Sequence, residues 1–140
     1  MSGTNESSRR ADGRKGEDAA CVWLERNGFA VLRRNYAVRG GEIDIIAEDG
    51  QNTLFIEVKL RRSPSARPAA AVTKTKQSRI ACAAARYTAE FSPAKPPRYD
   101  VIELTENGEN SYLIRHIKGA FFGEPPSERR QRGSFRERYK

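Results

Sequence analysis

Between Glu42 and Leu60 the chain reads EIDIIAEDGQNTLFIEVKL, two apolar runs of period two around an Asp-Gly turn. Each run carries charge where an apolar face should continue, and this constrains the fold more than any other segment. In the second run Leu54, Ile56 and Val58 point one way, while Phe55, Glu57 and Lys59 point the other. In the first run Ile43 and Ile45 share a face, and Asp44 and Ile46 share the opposite one. Burying a carboxylate or an ammonium in a sheet is unfavourable unless each finds a partner.

The turn decides whether these charges meet. A two-residue loop at Asp49-Gly50 sets Asp44 opposite Phe55 and diagonal to Glu57. A four-residue loop, Asp49 to Asn52, sets Asp44 directly opposite Glu57. Opposed residues hold their Cβ atoms about 5 Å apart and diagonal ones about 7–8 Å. Either even-length loop puts both carboxylates on one face, and an odd one separates them. Two carboxylates at that spacing repel, and a divalent cation between them removes the repulsion. Hard oxygen ligands suit Mg²⁺ or Mn²⁺. A plain ion pair of Glu57 with Lys59 on a wet face is the competing reading.

The rest of the chain fits around this hairpin. Gly13 to Gly28 reads as a helix with Ala20, Trp23, Leu24 and Asn27 on one face. Phe29 to Tyr36 is a strand, Glu42 to Ala47 and Thr53 to Leu60 follow, and Val72 to Ala89 is an alanine-rich helix. Arg98 to Leu104 and Tyr112 to Ile117 close the pattern. The order α-β-β-β-α-β-β predicts one α/β domain, a central mixed sheet flanked by helices. Residues 1–12 and 123–140 are polar and charged, with too little apolar surface to offset ordering, and are expected to be disordered tails around a domain at 13–122.

The formal net charge is +8, and residues 13–118 alone carry 18 basic against 13 acidic side chains. The excess therefore belongs to the folded part and points to a phosphate-rich partner. From Lys59 to Arg86 there are eight basic residues and no acidic one. Arg61, Arg62, Lys74, Lys76, Arg79 and Arg86 are the expected nucleic-acid contacts, from a basic loop and one helix edge beside an Ile80/Ala84/Tyr87 stripe. Asp100 is expected to pair with an arginine, and His116 to pack or touch a phosphate. One histidine and two isolated cysteines, Cys21 and Cys82, argue against a zinc site and for reduced thiols. The chain has no signal-peptide pattern and no apolar run near membrane-spanning length, so a cytoplasmic protein with no membrane contact is expected.

Gly41-Glu42-Ile43-Asp44 followed by Glu57-Val58-Lys59 looks like the signature of PD-(D/E)xK phosphodiesterases, with Ile43 where a proline usually stands. A wider set closely resembles the bacterial YraN family. It comprises Gly13 to Glu17, Arg34-Asn35-Tyr36, Gly41 to Asp44, Glu57 to Lys59, Lys76-Gln77, Arg98-Tyr99-Asp100 and His116-Ile117. That family is likened by fold to Holliday-junction resolvases. The resemblance implies a restriction-endonuclease-like domain with metal-dependent endonuclease activity on structured or branched DNA, DNA more than RNA, and a possible homodimer. A catalytically silent nucleic-acid-binding module is the alternative. It further implies that Asp44, Glu57 and the Val58 carbonyl hold Mg²⁺ or Mn²⁺, and that Lys59 orients the attacking water or neutralises the oxyanion. Glu17 matches an additional acidic position directed into the site. The other reading of Glu17 is a solvated charge in a first helical turn, which the helix dipole favours.

Overall fold

The computed structural model describes residues 2–62, 72–109 and 111–122, with side chains from residue 13 onward. The elements are α1 (Ser2–Arg26), β1 (Ala30–Val38), β2 (Gly41–Glu48), β3 (Thr53–Arg61), α2 (Lys74–Phe91), β4 (Pro97–Glu106) and β5 (Tyr112–Phe121). They build a five-stranded sheet in the order β1-β2-β3-β4-β5. Neighbours are antiparallel except β3 and β4, which run parallel. A parallel pair needs a long crossover, and α2 supplies it. The expected mixed α/β arrangement is what the chain adopts.

Each face of the sheet is covered by one helix. Ala20, Cys21 and Leu24 of α1 pack with Ile45, Ala47, Leu54, Ile56, Ile102 and Leu104. Ile80, Ala83, Ala84 and Tyr87 of α2 pack with Ile43, Ile46, Phe55 and Val101. Strand β3 is buried on both sides from Thr53 to Glu57, which explains its unbroken apolar run. The Ile80/Ala84/Tyr87 stripe faces the sheet as its spacing requires. Thr73 caps α2 by accepting a hydrogen bond from the Lys76 amide at 3.1 Å.

Several expectations change. Helix α1 begins at Ser2, so residues 2–12, read from sequence as a tail, continue the helix backbone. Asn27 is exposed rather than part of the core face, and its amide instead bonds the Trp23 carbonyl at 2.8 Å. Ile43 and Ile45 lie in opposite clusters instead of sharing a face. The 123–140 tail and the loop at 63–71 lie outside the described residues.

The β2–β3 loop is the four-residue one. Ile45 pairs with Ile56, Ile46 with Phe55, Ala47 with Leu54 and Glu48 with Thr53. Asp49 closes it through its side chain: Oδ1 accepts from the Gln51 and Asn52 amides at 2.8 and 2.7 Å. The loop is thereby held at even length, and the register sets Asp44 opposite Glu57.

Candidate metal centre

Pairing of β2 with β3 stops at Ile45 and Ile56, one residue short of Asp44 and Glu57. Beyond that point the Val58 amide donates to Asp44 Oδ2 at 2.8 Å instead of to a strand carbonyl. The Asp44 side chain therefore takes a backbone position at the mouth of a splitting hairpin. Glu57, only 3% exposed, projects from the α2 side of β3.

The two acids are tightly coupled. Burial first, and then the charge of Asp44, push Glu57 up to about 7. Burial also raises Asp44, opposed by the Val58 amide, by Lys76 and by a hydrogen bond with Glu57. A carboxylate beside a second, buried acid disfavours the charged form of its neighbour.

Two lysines compensate this charge, in an order that spacing along the chain does not suggest. Lys59 Nζ lies 3.9 Å from Glu57 Oε1, whereas Lys76 Nζ, from the first turns of α2, lies 3.1 Å away. Burial works against the Lys76 ammonium, but Glu57 more than offsets it and holds Lys76 above its ordinary value. A cation near a helix N-terminus opposes the helix dipole. Lys76 holds that place because Glu57 lies opposite it.

Glu17 approaches from the other helix. With α1 starting at Ser2 it stands mid-helix, so the first-turn account of its charge fails. Its side chain is 16% exposed. Its Oε2 is buried without a hydrogen-bond partner and lies 3.7 Å from Arg34 Nη2. Burial, then Asp44, raise its pKa, and a hydrogen bond from Asn35 opposes them. Arg34 itself is committed to Asp18 at 2.6 Å. A cleft of about 540 Å³ lined by Gly13, Arg14, Glu17 and Asn35 opens beside this acid.

Asp44, Glu57, Lys59 and Lys76 thus converge, with Glu17 electrostatically linked to Asp44. Among the described residues no three His, Cys, Asp or Glu side chains are gathered closely enough to hold an ion by themselves. The acidic donors are a pair with a flanking third. That number suits Mg²⁺, which takes one or two carboxylates and keeps water or substrate oxygens in its remaining positions. Val58 contributes its amide to the site, through Asp44.

The expected phosphate contacts divide. Arg62, Lys74, Arg79 and Arg86 are solvent-exposed. Arg61 is not a free contact: its side chain is 13% exposed and its Nη1 meets the buried Glu103 at 2.6 Å. Lys76 is turned to Glu57 rather than to an outer surface. Gln77, next to Lys76, donates to the Val72 carbonyl at 2.8 Å.

Of the two expectations for His116, packing is the one the structure shows. Its side chain, 5% exposed, donates from Nε2 to Asp100 Oδ2 at 2.7 Å and packs edge-on to Trp23 and Phe29. Asp100 takes the predicted arginine, accepting from Arg98 Nε and Nη2 at 2.9 Å each, and also from the Gly119 amide. Burial pushes Asp100 up, but these bonds more than offset it and hold its carboxyl at about 2. This network ties β5 to α1 and stands apart from the acidic pair.

Asn35 was missed as a separate site residue. Its backbone is left-handed, φ 52°, in the middle of a strand. The available signal was a polar asparagine inside the run FAVLRRNYAV, asparagine being the residue after glycine that best tolerates that conformation.

Comparison with known proteins bears on the whole of this region. The model of the uncharacterised protein family UPF0102 matches residues 16–104. A UPF0102 protein of Symbiobacterium thermophilum is 41% identical over 116 residues, covering 81% of this chain and 98% of the relative. One from Geobacter metallireducens is 43% identical over 111 residues, covering 78% and 90%. One from Chlorobium chlorochromatii is 42% identical over 118 residues, covering 80% and 92%. The matched span takes in Glu17, Asn35, Asp44, Glu57, Lys59 and Lys76, and the chain belongs to the UPF0102 family.

Proposed function

We propose that this protein binds nucleic acid and hydrolyses phosphodiester bonds with a divalent cation, acting on structured or branched DNA through a PD-(D/E)xK-type domain. The observation that carries this reading is the opposed pair Asp44 and Glu57, one of them buried, at the point where β2 leaves β3. The YraN and resolvase-like resemblance of the same residues supports it, and so does the exposed cationic set Arg62, Lys74, Arg79 and Arg86.

Asp44 and Glu57 would hold Mg²⁺ or Mn²⁺, with Glu17 close behind. The resemblance adds the Val58 carbonyl. Bound there, the cation would lower the pKa of a water and neutralise charge on the scissile phosphate. The Val58 amide fixes the Asp44 carboxylate in place. Lys76 and Lys59 set two positive charges on the side of Glu57 where phosphate oxygens would gather charge. DNA rather than RNA, a homodimer and the cytoplasm are part of the same proposal. No helix among the described residues is long and apolar enough to cross a membrane.

One observation favours a second reading, a silent nucleic-acid-binding module. Lys76 at 3.1 Å already neutralises Glu57 without any metal. Incubation with linear, flap and four-way-junction DNA in Mg²⁺ or Mn²⁺ separates the two. The nuclease reading expects cleavage that Glu57→Ala abolishes while DNA binding persists. Binding without cleavage on every substrate supports the silent module, and absence of binding removes both.

A further inference from the structure

At one position in the β1–β2 ladder both strands change the face they present. On β1, Arg34 reaches α1, pairing with Asp18. Two residues on, Tyr36 lies against α2, its ring 5.5 Å from that of Tyr87. Residues i and i+2 of a regular strand share a face, so the alternation breaks between them. On β2, Ile45 packs with α1 and Ile43 with α2, so the same break occurs there. The residues at the two breaks are Asn35 and Asp44. The ladder pairs Arg34 with Ile45 and Tyr36 with Ile43, and skips the pair between them.

Asn35 carries the cause. Its φ of 52° is left-handed, a conformation that an asparagine adopts at a cost and that persists only where surrounding structure enforces it. The consequence falls on Asp44. Freed from strict alternation, its side chain accepts from the Val58 amide within the sheet, across from Glu57 in the β2–β3 register, and its charge acts on Glu17 of α1. A regular strand would show Asp44 to one helix only. The Asn35 side chain lines the same cleft as Glu17 and favours its charged form.

We propose that Asn35 is the positioning residue of the acidic site: its left-handed backbone takes Asp44 out of strict alternation and onto the Val58 amide, and its amide shares the cleft with Glu17. The metal role in this inference rests on reading Asp44 and Glu57 as a cation site. The positioning role does not.

The test uses the full chain, titrated with Mn²⁺ by calorimetry and unfolded in urea without metal. Asn35→Gly keeps positive φ accessible and removes only the amide. Its unfolding constant should stay within about threefold of wild type, while Mn²⁺ affinity falls about tenfold, as for other groups that orient metal ligands. Asn35→Ala loses both features, so affinity falls at least as far and the unfolding constant rises about tenfold. Unchanged Mn²⁺ affinity in both variants overturns the proposal. Should wild type bind no Mn²⁺, the cation reading fails by itself, and the metal-free data decide the role of Asn35. There, Asn35→Gly combined with Glu17→Gln should depart about threefold or more from the product of the single effects on the unfolding constant. Simple multiplication of the two overturns the positioning role.

Discussion

Glu57 is a carboxyl held in the fold against its ordinary preference for charge. Held at about 7, its carboxyl stays protonated in the fold at pH values where the unfolded chain has released the proton. The folded state therefore binds more protons between about pH 4.5 and 7, and stability falls as pH rises through that window. Glu57→Gln imitates the protonated acid. It should stabilise the protein on the order of 2–3 kcal/mol at pH 8 and hardly at all at pH 4. Urea unfolding at the two pH values measures this, and an equal effect at both would mean that Glu57 is an ordinary ion-pair partner. Lys76 would lose its closest acid in the same variant, which works against the gain and makes the figure an upper bound.

At the scale of elements, the seating of α2 on β2 decides where Lys76 stands. Gly41 is required there by proximity. A Cβ at this position would run into the Arg79 carbonyl and come within 2.9 Å of the Ala83 amide. Both are helix backbone, which cannot turn aside as a side-chain tip can. Gly41→Ala should push α2 off the sheet and destabilise the fold by about 3 kcal/mol, at the upper end for overpacking. Because Arg79 lies one turn from Lys76, the same displacement should loosen the Lys76–Glu57 pair. Thermal unfolding checks the first effect. An unchanged melting temperature would mean that the helix backbone yields there.

For the molecule as a whole, the cations that could grip a polyanion are the exposed ones. Arg62, Arg79 and Arg86 are exposed, whereas the Arg61 side chain is largely buried against Glu103. Replacing the three exposed arginines together by glutamine should flatten the dependence of DNA affinity on salt by about 0.9 in log–log slope for each phosphate that is no longer neutralised. Arg61→Gln should leave that slope alone and instead lower stability, because it removes a charged partner from the buried Glu103 carboxylate. A triple variant with an unchanged slope would move the binding surface elsewhere.

The hairpin was legible in the sequence. An even loop set Asp44 against Glu57 and the observed register chose the direct pairing over the diagonal one, whereas the strict period-two alternation expected along β2 fails at Asp44. The order of elements and the core stripe of α2 were legible for the same reason, since periodicity is a local property of the chain. What sequence could not supply are partnerships set by helices lying across the sheet. Arg61 meets Glu103 over a separation of 42 residues. Lys76 and Glu17 reach the acids from opposite layers, and His116 reaches Asp100 from the neighbouring strand. A basic residue in a one-signed run reads as a phosphate contact until a buried acid is brought against it. The left-handed turn at Asn35 was only hinted at by the asparagine, because a strand pattern does not call for positive φ and the change of face between Arg34 and Tyr36 is set by the helices on either side. Sequence by itself determined that two carboxylates would lie opposite or diagonal across an even-length loop; tertiary structure decided the loop length and which cations answer them, because those distances depend on how layers pack and not on spacing along the chain.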